Sequence, residues 1–254
     1  MMRKSFLHSK AAASCAAFRK LFGAALVGAA SVIVPAHAGT IDFETYFGPT
    51  THGDYIQQAG FQVGFYSNVG GAIAGQDLVG SFIDGTDSTA CEVARCPINN
   101  PGIYYAALDD SYVDITASTA NAKFKVKSFD ASFIGGAAGN VYPAVSGLVR
   151  VQGFFANGTS AFETYQLAGP SADGFLFAHY NTSAGFGNLQ FVEAVMFGFA
   201  CDSTGSCSAF SSDRGQFGVD NINLSTVPEP SSFALLGLGL AGMGAIVRRR
   251  RNSL

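Results

Sequence analysis

The side chains able to do chemistry in this chain are mostly carboxylates. Asp84, Asp87 and Glu92 fall in one polar stretch, and Asp109, Asp110 and Asp114 follow close together. Two carboxylates facing each other across a cleft can hydrolyse a glycosidic bond, one as acid and the other as base or nucleophile. Histidine is scarce: beyond residue 38 there are only His52 and His179. A Ser-His-Asp site would have to use one of them. There is no Gly-x-Ser-x-Gly elbow, no His-Glu-x-x-His and no phosphate-binding Gly-Lys-Ser/Thr loop. Tyr104, Tyr105, Tyr112, Tyr142, Tyr165 and Tyr180 offer rings on which a sugar could stack, although the chain has no Trp, the largest stacking face. Excess acid without a nucleophile or base signature points away from catalysis, and the expectation is a non-enzyme.

The cysteines read as structural. Cys91 and Cys96 form one close pair in sequence, Cys201 and Cys207 another. Beyond residue 38 the chain has these four cysteines, Cys15 being the fifth; four allow three pairings, and the short loops favour 91–96 with 201–207. Zinc is the competing use, but the spacing is long for a zinc knuckle and no His lies beside either pair.

The elements that must carry these residues follow from composition and pattern. The chain has 254 residues, 48% apolar and 13% charged, with 31 Gly, 23 Phe and a formal net charge of −3. That hydrophobicity excludes disorder, and the lack of a basic excess argues against a nucleic-acid partner. The charge is segregated. Residues 1–38 hold five Lys/Arg and no acid, residues 248–251 are four Arg, and residues 39–227 carry 6 basic against 17 acidic side chains, a formal −11.

Between 39 and 227 the chain reads as short β-branched and aromatic runs separated by Gly, Asn, Asp and Ser. Strands are expected near 40–47, 60–67, 103–107, 111–117, 122–134, 145–156, 160–168, 174–180, 188–200 and 214–225. Leu189, Phe191, Glu193, Val195, Phe197 and Phe199 should share a face. Lys123, Lys125 and Lys127 alternate with Phe124 and Val126, a solvated face over a core. Asn157-Gly158 between two runs predicts a hairpin with a type I′ turn. Residues 68–102 look like a long loop, with short helical turns there or near 53–59. The expected fold is all-β: an antiparallel, jelly-roll-like β-sandwich over residues 39–226.

The two ends read as addresses. Arg3, Lys4, Lys10, Arg19 and Lys20 precede an apolar run, Leu21–Val34, and Ala36-His37-Ala38 offers small residues before Gly39. Residues 1–38 therefore read as a secretory signal peptide, and export in turn favours disulfides. At the other end come Val227-Pro228-Glu229-Pro230, an apolar run Phe233–Val247, then Arg248, Arg249, Arg250 and Arg251. Four Arg are costly to translocate, so they should remain on the cytoplasmic side of a single transmembrane helix.

Residues 227–254, with this Pro-Glu-Pro, apolar helix and Arg cluster in fixed order, resemble the PEP-CTERM sorting signal. Gln216-Phe217-Gly218-Val219-Asp220 resembles the Gln-Phe-x-x-Asp motif of its QFxxD subgroup, carried here by Gln216, Phe217 and Asp220. The resemblance implies processing by an exosortase, residence of the C-terminal helix in the inner membrane before processing, and then a cell-surface or extracellular place associated with exopolysaccharide and biofilm. A second similarity is to sandwich-type carbohydrate-binding modules that hold structural calcium between an acid near the first strand and an Asp in the last. Glu44 and Asp220 occupy such positions, and Ca²⁺ takes about six to eight oxygen ligands. The leading expectation is thus an exported surface or matrix protein. The alternatives are a carbohydrate-binding module and, after it, a glycan-active hydrolase.

Overall fold

A computed structural model describes residues 38–87, 95–136, 140–211 and 214–227, together with Gly239 and Gly242. Residues 1–37 of the expected signal peptide, Cys91, Glu92, Pro228, Glu229, Pro230 and the Arg cluster lie outside the described residues. Gly239 and Gly242 are helical, and among the described residues no helix is long and apolar enough to cross a membrane.

Alternation of apolar and polar side chains needs a sheet with one face covered, and residues 38–227 supply two such sheets. The strands are β1 (Ala38–Ile41), β2 (Gly48–Thr51), β3 (Tyr55–Gln58), β4 (Phe61–Tyr66), β5 (Leu78–Asp84), β6 (Ile103–Ala107), β7 (Tyr112–Ala117), β8 (Lys123–Phe133), β9 (Val145–Phe154), β10 (Ser160–Ala168), β11 (Ala178–Asn181), β12 (Glu193–Cys201), β13 (Cys207–Ser208) and β14 (Phe217–Val227). One sheet, A, has the order β11-β8-β14-β6-β5-β2, with β1 also on β14. The other, B, has the order β10-β9-β12-β7-β4-β3, with β13 on β12. Every strand pair is antiparallel. The result is the expected all-β antiparallel sandwich, whose one helical turn among the described residues of this span is a 3-10 turn at Phe186–Asn188.

The core between the sheets is aromatic. Phe43, Phe61, Phe65, Tyr105, Phe124, Phe129, Phe175, Phe191 and Phe217 are fully buried, among Val63, Val113, Ile115, Val149, Val151, Val219, Ile222 and Leu224. A second, smaller cluster of Ile83, Tyr104, Ala106 and Ile134 forms where loops cover the opposite face of β5 and β6.

Four expectations are corrected. The strand at 40–47 stops at Ile41, because Phe43 turns the chain with φ of 58°; pairing resumes at β2, where Pro49 is tolerated on the edge of sheet A. Residues 55–58 are strand β3 rather than a helical turn. The 68–102 loop contains β5, whose Val79, Gly80, Phe82 and Ile83 are buried on both faces, so its sequence lacks a period of two. Leu189 and Phe191 do not share a face with Glu193–Phe199. The chain bends ahead of β12, sending Phe191 into the core while Glu193, Val195, Phe197 and Phe199 face outward.

The hairpin of β9 and β10 forms as expected, but by a different turn. Gly158 has φ of 82° while Asn157 keeps a negative φ, so the turn is type I closed by a Gly bulge. Gly158 N–H donates to Phe155 O (2.9 Å) and Phe155 N–H to Thr159 O (2.8 Å).

Candidate functional site

Sheet B turns a patterned face to solvent. Gln62, Gly64 and Tyr66 on β4 lie opposite Thr116, Asp114 and Tyr112 on β7, which lie opposite Glu193, Val195 and Phe197 on β12. The residues between them, such as Val63, Phe65, Val113, Ile115 and Met196, are in the core. Period-two alternation therefore puts the first set together on the outer face.

Gly64 makes room there. A Cβ at this position would sit 2.6 Å from the Tyr66 ring, which folds back across it. Tyr66 stacks on Tyr112 with centroids 5.5 Å apart and planes 24° apart. His52 meets Tyr66 edge-on at 5.6 Å, and its Nδ1 accepts the Ser67 N–H (3.0 Å). Asp114 sits beside this pair, with its Oδ1 buried and without a hydrogen-bond partner. Burial, then the Glu193 charge, pushes its carboxyl up to about 6, partly opposed by the Ile115 N–H. Burial first and then Asp114 also raise both tyrosine hydroxyls.

Farther across the same face, Phe197 stacks between Phe199 (5.5 Å) and Phe210 (4.9 Å). The Arg150 guanidinium lies 4.3 Å from the Phe162 centroid and 4.8 Å from that of Phe199, and its Nε–H donates to Thr164 Oγ1 (3.0 Å). Flat rings, a carboxylate oxygen lacking a donor and a guanidinium are the groups that pack on sugar faces and hydrogen-bond hydroxyls.

The outer face of sheet A carries a polar row. His179, Asp130 and Asp220 are directly opposite one another on β11, β8 and β14. His179 Nδ1 lies 2.7 Å from Asp130 Oδ1, an ion pair when the ring is protonated. A bulge follows Asp220, and there Asn221, at φ of 49°, aims its amide at both acids: Nδ2–H donates to Asp130 Oδ2 (2.9 Å) and Asp220 Oδ2 (3.3 Å). Asn100 Nδ2–H donates to Asp220 Oδ2 (2.7 Å), and the Asn221 backbone N–H to Asp220 Oδ1 (2.7 Å). Burial dominates over these bonds and lifts Asp220 to about 6. The row flanks a hollow of about 200 Å³ lined by Asn99, Asn100, Pro101, Phe177, His179 and Asn221 among others.

Glu44 reaches the same end of the sheet. Its charge is felt at Asp220, and its Oε1 accepts the Ile103 N–H (3.3 Å). The Asp220 oxygens are nevertheless taken by amide donors. Among the described residues, no group of three or more His, Cys, Asp or Glu is arranged to hold a metal ion.

The remaining sequence candidates scatter into structural roles. Tyr105 is buried in the core with its hydroxyl 3.0 Å from Thr50 Oγ1, and Tyr104 is buried in the smaller cluster. Tyr165 and Tyr180 pack on Phe129, and Tyr142 on Phe133 and Phe175. Asp84 caps its own turn by accepting from Thr86. Asp109 and Asp110 take successive left-handed conformations between β6 and β7, and buried Asp110 accepts the Gly215 N–H (2.7 Å). Phe217 fills the core and Gln216 O accepts the Ile134 N–H, so this segment starts the last strand. Cys201 and Cys207 form a disulfide across β12 and β13, and Cys96 is also disulfide-bonded. Tyr66, Asn100 and Asp130 were not singled out in sequence. The bulge at Asn221 had a faint signal, an Asp-Asn pair inside an apolar strand.

Comparison with known proteins locates the chain's address. Residues 226–251 match the PEP-CTERM protein-sorting motif. No curated protein matches the chain. Among solved structures it is similar to a family 61 carbohydrate-binding module in complex with β-1,4-galactotriose, at 9% identity and a TM-score of 0.34, covering 74% of this chain and 94% of that one. It is also similar to a family 16 carbohydrate-binding module (14% identity, TM-score 0.26, covering 57% of this chain and 84% of that one). A third is the enzymatically active domain of bacteriophage CBA120 tailspike protein 4 (11% identity, TM-score 0.25, covering 74% of this chain and 21% of that one).

Proposed function

We propose that this protein is exported, held in the inner membrane by its C-terminal helix, and processed by an exosortase to become a non-catalytic cell-surface or matrix protein of an exopolysaccharide-producing cell. The observation that carries this reading is the PEP-CTERM match over residues 226–251, which takes in Pro228-Glu229-Pro230 and Arg248–Arg251. Membership of the QFxxD subgroup, through Gln216, Phe217 and Asp220, belongs to the same proposal. Deleting Arg248–Arg251, or replacing Pro228 and Pro230 by Ala, should leave unprocessed protein in the membrane fraction. An unchanged mature mass and location in the producing cell would refute the reading.

A second reading, glycan binding, is favoured by the outer face of sheet B. Asp114 Oδ1 lacks a donor beside two stacked phenol rings, and a sugar hydroxyl supplies a donor. A hydrogen bond to a charged group contributes about 1.5–3 kcal/mol. Tyr66→Ala and Asp114→Asn should each weaken binding to the producer's own polysaccharide about tenfold or more in a titration. Absence of binding by the unsubstituted protein would remove this reading, and turnover of the polysaccharide would replace it with the hydrolase.

A further inference from the structure

We propose that the lysine end of sheet A is a docking surface for anionic phospholipid headgroups. The idea rests on the membrane-anchored reading above but draws on different residues. Residues 39–227 hold only three lysines, Lys123, Lys125 and Lys127, all in the first half of β8. Phe124 and Val126 between them are buried in the core, so the three amines belong to the outer face of sheet A. Lys127 Nζ–H donates to the Gly187 carbonyl (2.6 Å). Lys123 is exposed and Lys125 half-exposed. Neither has a carboxylate partner among the described residues.

The acids of the same face lie at the other end of the same strands. Asp130 follows Lys123 by seven residues on β8, about 24 Å at ~3.4 Å each, and pairs with Asp220. The lysines of sheet A are thus gathered at one end of its strands, with Asp130, Asp220 and Glu44 toward the other, where Arg95 bridges Gly135 just past β8. The hollow beside Lys123, formed with Phe155, Ala156, Asn157, Thr159 and Gln190, contains no acid.

The basic end is also where the chain leaves the sandwich. Val227, the last residue of β14, pairs with Lys123, and Ser225 pairs with Lys125. Only Pro228–Ser232 separate Val227 from the apolar run that starts at Phe233. Five residues span at most about 18 Å, roughly two Debye lengths at physiological salt. An acidic body of formal charge −11 would be repelled by an anionic surface that close. Amines grouped at the tethered end give it one orientation in which contact is attractive, and would hold the strand that leads into Pro-Glu-Pro near the headgroups.

The test uses the full-length chain in vesicles of phosphatidylcholine, or of an equal mixture of phosphatidylcholine and phosphatidylglycerol. Acetylation of Lys123 and Lys125 by a water-soluble amine reagent is read by mass spectrometry, and insertion of the tail by resistance to alkaline carbonate. The expected result is resistance in both vesicles, with labelling of each lysine about fivefold slower on the anionic ones, equivalent to about 1 kcal/mol per lysine, and the difference lost at high salt. Resistant protein labelled equally in both overturns the docking surface and leaves the anchor intact. Carbonate extraction from both overturns the anchor; the surface then rests on flotation. Salt-sensitive flotation with the anionic vesicles alone, lost in Lys123→Gln/Lys125→Gln, supports it, and no flotation overturns it. Protection by a dissolved polyuronate on neutral vesicles, with none from phosphatidylglycerol, also overturns it, in favour of an acidic polysaccharide.

Discussion

Asp114 occupies a place where an uncharged residue would serve the fold better. Its carboxyl, at about 6 when folded, stands against about 3.9 in an unfolded chain. The folded protein therefore holds a proton between about pH 4 and 6 that the unfolded chain releases. The stability linked to that proton is full below about pH 4 and is lost as pH rises through 6. Asp114→Asn should raise stability at pH 7.5 by about 1 kcal/mol, after allowance for solvent screening of a half-exposed carboxylate, and add nothing at pH 4. Denaturant titration at the two pH values checks this. A stabilising substitution that also weakens glycan binding would mark a residue kept for its ligand rather than for the fold. Asp220 shifts in the same direction, but the Asn100 and Asn221 amides would lose an acceptor on substitution, so its replacement is not equivalent. At this scale the sequence was partly legible. Asp114 and Asp220 stood out as carboxylates within strands. Tyr104 and Tyr105 misled because both faces of β6 are covered, so adjacent rings are both buried. Tyr66 was hidden because its role depends on Gly64, and a glycine's neighbour across space leaves no mark on the chain.

Strands were legible where one face is wet. β4, β7, β9 and β10 fall within a residue or two of the expected spans because alternation marks them. β5 and β3 were not, the first because it is buried on both faces and the second because four residues are too few to show a period. The β9–β10 hairpin shows a finer limit, since Asn-Gly announces a turn without fixing its type. In a type I′ turn both central residues need positive φ, and Gly would serve at either. Here Asn157 keeps a negative φ and its Oδ1 accepts the Thr159 N–H (3.0 Å) and hydroxyl (2.7 Å). Asn157→Gly should therefore cost about 0.5–1 kcal/mol in lost bonds and added chain entropy. Gly158→Ala, at φ of 82°, should cost about 1 kcal/mol or more. Thermal denaturation of the two variants separates the turns: a type I′ hairpin would tolerate the first.

At the scale of the whole sandwich, β14 is the closing strand. β14 pairs with β8 along one edge and with β6 and then β1 along the other. Phe217, Val219, Ile222 and Leu224 from it are fully buried. At about 1.5–3 kcal/mol for each buried side chain, they contribute about 6–12 kcal/mol, comparable with the total stability of about 5–15 kcal/mol expected of a domain. The sandwich cannot be complete without β14, and among the described residues no strand lies beyond Val227. A chain ending at Val227 should keep the melting temperature of the full-length body, whereas one ending at Gln216 should lack a cooperative transition by near-ultraviolet circular dichroism and calorimetry. Equal melting temperatures for all three would mean that the sandwich closes without β14. If the loss at Gln216 is observed, folding and sorting are ordered by the chain itself: the strand that completes the sandwich is the one that delivers Pro-Glu-Pro, so an unfinished body and an available sorting signal cannot coexist for long.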